Sequence, residues 1–331
     1  MATTTYGDIS QRTAAYAAVD MLAHAEPILV LSKFGQNKPL PKNKADTVKF
    51  RRPVPFAVAT APLTEGVTPI AKQMSYEDVT VQIQQYGDVI EITDKVDDLS
   101  EDPVLKDASM LAGEQAAETI EMVTYGVLKG GTGVRYANAV GGRSSVVAAI
   151  SLNDIRSCVR SLKAMRARPL TSMLSGSPNY ATKPIEGGYV AFCHTDVEAD
   201  LRQLTGFTPT VSYGSRQQLC PEEIGSIENV RFITSPLLSS WADAGGAKGT
   251  KKSTSGTYAD VYPVIFVGKE SYGLVPLKGE GSITPTVLNP GKPSKSDPLG
   301  QVGYVGWKAY FACVRLNEGW MRRLETAVEA L

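Results

Sequence analysis

Apolar residues recur at helical steps in some stretches of the chain and alternate in others. The longest helical run is Val104, Ala108, Leu111, Ile120, Val123 and Val127, spaced mostly by threes, fours or their sums. It predicts one helix over 103–129 with a single apolar stripe. Asp102 is positioned as its cap, Pro103 at the first helical position needs no N–H partner, and Gly130-Gly131 ends it. At about 1.5 Å per residue that helix is roughly 40 Å long, enough to act as a spine. A second run, Ile155, Cys158, Val159, Leu162 and Met165, predicts a helix over 154–168 with Asn153 as cap and Pro169 as stop. Thr195-Asp196-Val197-Glu198 reads as a capping box that opens a third helix after a strand over 189–193. Near the start, an Ala-rich helix capped by Asp8 or Ser10 runs to about Ala25, before Pro27. Its apolar side (Ile9, Tyr16, Val19, Leu22) is thin, which suits a helix lying on another surface.

Alternation marks the strands. Thr47-Val48-Lys49-Phe50-Arg51 is one, and 79–93 is another whose parity slips near Gly87, predicting a bulge there. Val230–Thr234 is a short strand. Val261–Val267 is a strand that Pro263 assigns to an edge or bulge. Val302–Leu316 is a long strand followed by an Asn317-Glu318-Gly319 turn and a pairing strand from Trp320. Pro53, Pro55, Pro62 and Pro69, with Gly66, exclude a helix and predict an extended loop or hairpin standing off the body. Ordered loops of that length are uncommon and usually functional. Residues 242–258, rich in Gly, Lys, Ser and Thr, are expected to be mobile.

Composition adds exclusions. The chain has 331 residues, room for about two domains. Its 34 basic and 34 acidic side chains cancel, unlike a dedicated nucleic-acid binder or a charged disordered protein. No run of about 18 apolar residues is present to span a membrane, and the N-terminus has no secretory signature. Four scattered cysteines (158, 193, 220, 313) and two histidines form no metal spacing, so no metal or other cofactor is expected.

Enzyme-like constellations fail on geometry. Cys193 and His194 are adjacent on a strand and point to opposite faces, so they cannot pair as nucleophile and base. His24 sits on the Ala-rich helix and reads as a packing or surface residue. Lys129-Gly130-Gly131-Thr132-Gly133 lacks phosphate-loop spacing and ends a helix instead of opening one. The acidic pairs Asp97-Asp98, Glu101-Asp102 and Glu222-Glu223 read as partners of helix dipoles. Between residues 33 and 52, seven basic residues stand against Asp46 alone. Such a segment meets either an acidic surface on another subunit or phosphates, and the scarcity of interleaved aromatics favours the first.

An N-terminal arm, an extended loop, a spine helix and a mixed α/β remainder ending in a returning strand resemble, in that order, the major capsid proteins of tailed bacteriophages. Four local runs are similar to the N-four-like podovirus capsid family. They are Ala25-Glu26-Pro27-Ile28-Leu29, Thr47-Val48-Lys49-Phe50-Arg51-Arg52, the run Tyr189-Val190-Ala191-Phe192-Cys193-His194-Thr195-Asp196, and Arg231-Phe232-Ile233-Thr234-Ser235-Pro236. The resemblance implies an α+β chain with the Hong Kong 97 phage-type fold: arm 1–44, extended loop 45–76, peripheral domain 77–170 plus 303–331, spine helix 103–129 and axial domain 171–302. It implies a non-enzymatic subunit that assembles as pentamers and hexamers into an icosahedral shell around double-stranded DNA. The implied partners are other copies of the chain, a separate scaffolding protein, a portal protein, a decoration protein in some relatives, and packaged DNA on the inner surface; no membrane is involved. The virion, assembled in the host cytoplasm, is the expected location. An encapsulin-like shell enclosing cargo enzymes is the alternative. Inter-subunit contacts are expected from Lys42, Lys44, Lys49, Arg51 and Arg52, with Glu77, Asp78, Asp97, Asp98, Glu101 and Asp102 as acidic partners.

Overall fold

The computed structural model of the chain describes residues 29–41, 43, 45–63, 65–66, 68–95, 104–174, 182–214, 216–278, 283–288, 290 and 298–331. The expected Ala-rich N-terminal helix and the Asp102 cap lie outside them. A 3-10 turn at Leu31–Lys33 and two short strands, β1 (Gln36–Asn37) and β2 (Leu40–Pro41), come first. A hairpin of β3 (Thr47–Pro53) and β4 (Tyr76–Gln82) follows, then β5 (Gln84–Thr93) and helix α1 (Val104–Lys129). Next are β6 (Val134–Tyr136), helix α2 (Leu152–Ala164), β7 (Leu170–Leu174) and β8 (Thr182–Cys193). A short helix α3 (Glu198–Arg202) leads to β9 (Phe207–Pro209), β10 (Glu223–Ile227) and β11 (Val230–Thr234). The remaining strands are β12 (Tyr262–Val267), β13 (Tyr272–Lys278), β14 (Thr284–Leu288), β15 (Val302–Arg315) and β16 (Met321–Thr326).

Two large sheets result. The eight-stranded sheet runs β6-β16-β12-β8-β11-β10-β9, with β7 also on β8. Its central strands are buried on both faces, as their continuous apolar runs require. The six-stranded sheet runs β1-β13-β15-β14, with β2 on β13 and β5 on β15. Helix α1 lies between the two. Ala108, Ala112, Ala116, Ile120, Tyr125 and Leu128 pack with Trp307 and Phe311 of β15, Tyr272 of β13, and Phe192 and Ile265 of the other sheet. Its alanines leave room for those aromatic rings, as a close-packed interior requires. On the far side of the eight-stranded sheet, Ile155, Cys158 and Leu162 of α2 pack on Tyr189, Phe232 and Phe266.

Several expectations need correction. The buried stripe of α1 is its alanine face, so Leu111, expected inside, is 56% exposed. Helix α2 starts at Leu152, where the Asp154 N–H donates to Ser151 Oγ (3.2 Å), so Ser151 is the cap and not Asn153. Its end owes nothing to Pro169. Arg166 N–H donates to the Lys163 carbonyl (2.9 Å) and Ala167 N–H to that of Leu162 (3.0 Å), a Schellman closure. At residue 195 the capping acceptor is His194 Nδ1, which takes the Asp196 N–H at 3.0 Å, instead of the threonine hydroxyl.

The strand break in 79–93 falls at Ile83, and the register with β15 runs unbroken through Gly87. Glycine is needed at 87 for a different reason: a Cβ would come within 2.6 Å of the Trp307 carbonyl oxygen. Pro263 lies in a central strand. It pairs opposite Glu325 on β16, while β8 joins β12 only from Ile265 onward, so Pro263 has a strand partner on one side alone. After the Asn317 turn the chain changes sheet, and β16 pairs with β12 and β6 instead of β15. Helix α2 packs on the eight-stranded sheet, which β16 joins, and β13 and β14 belong to the six-stranded one. Residues 242–258, expected to be mobile, are held by polar bonds. Asp243 carboxylate oxygens accept from Ser253 Oγ (2.9 Å) and Ser255 N–H (3.0 Å), and Asp260 accepts from Thr254.

Candidate functional site

The projecting element is the β3–β4 hairpin with its 54–75 connection. Its base is anchored. Val48 and Phe50 point inward with Leu40, Val275 and Ala312, and the Phe50 ring lies where a Cβ on Gly273 would sit, 2.8 Å from Cζ. Lys38 Nζ donates to the Lys49 carbonyl (2.6 Å) and stands over the Phe50 ring. Beyond the base the loop is tied lightly. Val54 N–H donates to the Ser75 carbonyl (2.9 Å) and Lys72 Nζ to that of Ala57 (3.1 Å). Phe56, Val58, Leu63, Ile70 and Met74 all face solvent, Ile70 at 95% exposure. Large apolar side chains exposed together on one loop mark a candidate interaction surface.

The predicted charges divide into two groups. Lys42, Lys44, Asp97, Asp98, Glu101 and Asp102 lie outside the described residues. Of the others, Arg51, Arg52, Glu77 and Asp78 meet within this chain. The β3–β4 register sets Arg51 opposite Asp78 and Arg52 opposite Glu77. Arg51 donates through Nε and Nη2 to the two Asp78 oxygens at 2.8 and 2.9 Å, a bidentate fork, and Arg52 Nη2 donates to Glu77. The Arg51 hydrogen bond holds the Asp78 carboxyl below its usual range. Lys49, on the same strand, faces Thr80. These arginines, expected to find acids on another subunit, have them across their own hairpin.

Helix α1 presents its other side to solvent. Gln115, Glu118, Thr119, Met122 and Val123 line an open depression there, near the exposed Leu111. Its C-terminal end is fixed by a cluster that gave no local sequence signal. Arg323 Nη1 donates to the Gly131 carbonyl (3.0 Å) and to that of Lys129, filling acceptors a helix end leaves open. Glu325, fully buried, accepts from Arg323 Nε (2.9 Å) and from Arg143 Nε and Nη2 (2.7 and 2.9 Å). Lys129, Arg143 and Arg323 surround the Trp241 ring at 4.2, 3.7 and 5.3 Å. About two turns before that end, on the helix's buried face, Glu121 Oε1 accepts the N–H groups of Leu31 (2.9 Å) and Val30 (3.3 Å). That carboxylate ties the root of the N-terminal segment to the spine.

The thiols are set for packing. All four cysteines are buried, and burial pushes Cys158, Cys220 and Cys313 up to about 12 and Cys193 higher still. His194 offers Nδ1 as an acceptor to a backbone N–H, and burial lowers its pKa. Asp196 beside it is taken by Lys252 Nζ (2.6 Å) and Tyr262 Oη (2.7 Å). Among the described residues no three His, Cys, Asp or Glu side chains are grouped to hold a metal, and no helix is long and apolar enough to cross a membrane.

A family model described as phage capsid protein matches residues 76–315. A major capsid protein of Pseudomonas phage KPP21 is 22% identical over 264 residues, 74% of this chain and 66% of that protein, so the match spans a little under two thirds of the relative. The capsid of Ralstonia phage GP4 superposes with a TM-score of 0.67 at 12% identity, covering 91% of both chains. The capsid of cyanophage Pam1 gives 0.59 at 16% identity over 93% of both. The holo-SrpI encapsulin complex of Synechococcus elongatus gives 0.51 at 9% identity, covering 88% of this chain and 84% of that one.

Proposed function

We propose that this chain, which belongs to the phage capsid protein family, builds a closed icosahedral shell of pentamers and hexamers around double-stranded DNA. In this reading the fold is of the Hong Kong 97 phage type and follows the N-four-like podovirus pattern. Residues 1–44 form the arm, 45–76 the extended loop and 103–129 the spine helix, and the two large sheets take the peripheral and axial roles. The partners are other copies of the chain, a scaffolding protein, a portal protein and, on some shells, a decoration protein. Assembly takes place in the host cytoplasm.

The observation that carries this reading is the 54–75 loop. An isolated chain leaves Phe56, Val58, Leu63, Ile70 and Met74 in water at the end of an anchored hairpin. Burial of each such side chain against a neighbour is worth about 1.5–3 kcal/mol. Prolines at 53, 55, 62 and 69 stiffen the loop, so less entropy is lost on docking. The test is expression with the scaffolding protein, followed by negative-stain electron microscopy. Closed shells of uniform size are expected, with sharply fewer from Leu63→Ser combined with Ile70→Ser at unchanged subunit folding. A chain that stays monomeric at high concentration and gives no shells overturns the reading. The likeness to an encapsulin supports a second reading, a cargo compartment, in which shells would hold a folded enzyme instead of genome-length DNA.

A further inference from the structure

The outward face of α2 carries charge that neither folding nor the hairpin explains. Arg156, Arg160 and Lys163 stand at i, i+4 and i+7, on one side of the helix and opposite the buried Ile155, Cys158 and Leu162. Arg166 and Arg168 continue the positive run past the helix end, and all five are exposed. Among the described residues Arg156 pairs with Glu228 at 2.6 Å, while Arg160, Lys163, Arg166 and Arg168 form no ion pair. Asp154, the one acid in the α2 sequence, is buried and bonded to Ser151 Oγ (2.6 Å) and Arg135 Nε (3.4 Å).

Helix electrostatics account for little of this. A cation in the last turn complements the dipole, which covers Lys163 alone. Arg160 lies mid-helix, and its neighbours at i−4 and i+3 are Arg156 and Lys163, spacings at which like charges repel and weaken a helix. Arg166 sits in the left-handed region (φ 54°) at the closing position where glycine is usual. The chain thus keeps four unneutralised cations in one place against two local preferences.

We infer that this face of α2, with the Arg166–Arg168 turn, binds the phosphate backbone of the double-stranded DNA that the shell encloses. The inference rests on the reading of the chain as a shell subunit. From Arg156 to Lys163 the helix rises about 10 Å. A B-form duplex carries one negative charge per about 1.7 Å of axis, so about six phosphates of the two strands lie along that length, and those on the near side meet Arg160 and Lys163, with Arg166 and Arg168 just beyond. Guanidinium groups grip phosphate oxygens in pairs. Backbone contacts carry no base sequence, which suits a surface that must accept any part of a genome.

The test uses the soluble full-length chain before assembly and a fluorescein-labelled duplex of about 30 bp, its anisotropy read between about 50 and 200 mM NaCl. Replacing Arg160, Lys163, Arg166 and Arg168 together by Gln is expected to lower the log–log salt slope by up to about 3.6 and to cost at least about tenfold in affinity at mid-range salt. Arg160→Lys with Arg166→Lys and Arg168→Lys is expected to keep most of the binding. If the four-fold variant does not fold, Arg160→Gln alone should lower the slope by about 0.9. Unchanged binding by the neutral variant overturns the inference. So does a variant that binds DNA as before but no longer forms shells, which assigns the face to a neighbouring copy. A parent chain that forms shells yet binds no duplex overturns the DNA face and leaves the shell reading standing; one that forms no shells overturns the shell reading itself.

Discussion

Glu325 is where a single substitution should cost most. It is fully buried and accepts three N–H donors, two from Arg143 and one from Arg323. Glu325→Gln preserves the shape but removes the charge, and turns an NH2 group toward guanidinium donors. Lys129, Arg143 and Arg323 would then share the Trp241 ring with no central anion. Breaking one side of a buried pair typically costs about 3–5 kcal/mol, because the remaining charge stays desolvated. Here two arginines are left, and one of them also holds the C-terminal carbonyls of α1. A loss of about 3–5 kcal/mol is therefore expected in urea unfolding of the unassembled chain, followed by the fluorescence of Trp241 in the same cluster. The comparison is Lys129→Met. Burial, and then Arg143 and Arg323, lower the Lys129 pKa, so removing this cation relieves repulsion. It gives up one charged hydrogen bond, to the Ser239 carbonyl at 2.9 Å, and should cost about 1 kcal/mol or less. A Glu325→Gln variant within about 1 kcal/mol of the parent, or one no weaker than Lys129→Met, would refute the account of the cluster as an anion-centred node.

Two further outcomes are expected. Burial raises the Glu121 pKa from 4.5 to about 7, against the hydrogen bonds from Leu31 and Val30 that favour its charged form. The folded chain then holds the proton more tightly than the unfolded one, so stability falls as pH rises from 4.5 to about 7 and levels off above. That contribution amounts to at most about 3 kcal/mol, and Glu121→Gln should flatten it in urea unfolding at about pH 5 and pH 8; an unchanged slope would count against it. At the hairpin, Arg51→Glu with Arg52→Glu sets acids opposite Asp78 and Glu77 and should lower shell yield in sedimentation. Adding Glu77→Lys and Asp78→Lys restores both cross-strand pairs and should restore the yield. A four-fold swap that stays defective would mean that the arginines also meet a neighbouring copy.

The C-terminal end of α1 was legible because Gly130-Gly131 acts locally, whatever packs around it. The face that α1 buries was not, since alanine carries almost no hydropathy signal. Ala108, Ala112 and Ala116 are inside because Trp307 and Phe311, about 200 residues later, need the room. The same non-local choice sent β16 to the second sheet: a turn at Asn317 specifies a reversal and says nothing about which edge the next strand joins. The Glu325 cluster was invisible for that reason, since its members lie at 129, 143, 241, 323 and 325 and meet only when the end of α1 packs beside β16. The hairpin charges were nearer to hand. Thr47 pairs with Gln82 and Pro53 with Tyr76, so each pair of positions has the same sum, and the alternation on both strands could have set Arg51 against Asp78.

Those pairings change the meaning of the neutral total. Counted along the sequence, residues 33–52 are the conspicuous basic stretch, and acids elsewhere balance it. Counted in space, Arg51 and Arg52 are neutralised by their own hairpin, and Lys33 stands 3.6 Å from Glu222. Among the cations that form no ion pair within the described residues are Arg160 and Lys163 on α2 and Arg166 and Arg168 just past its end, which draw no attention in the sequence because the helix spacing is ordinary. A partner senses only charge that the fold leaves unpaired, at a range of about 8–10 Å in physiological salt. In a chain of zero net charge, the surface open to an anionic partner is therefore set by which cations lack an internal acid, and that property appears only once strand register and helix phase are known.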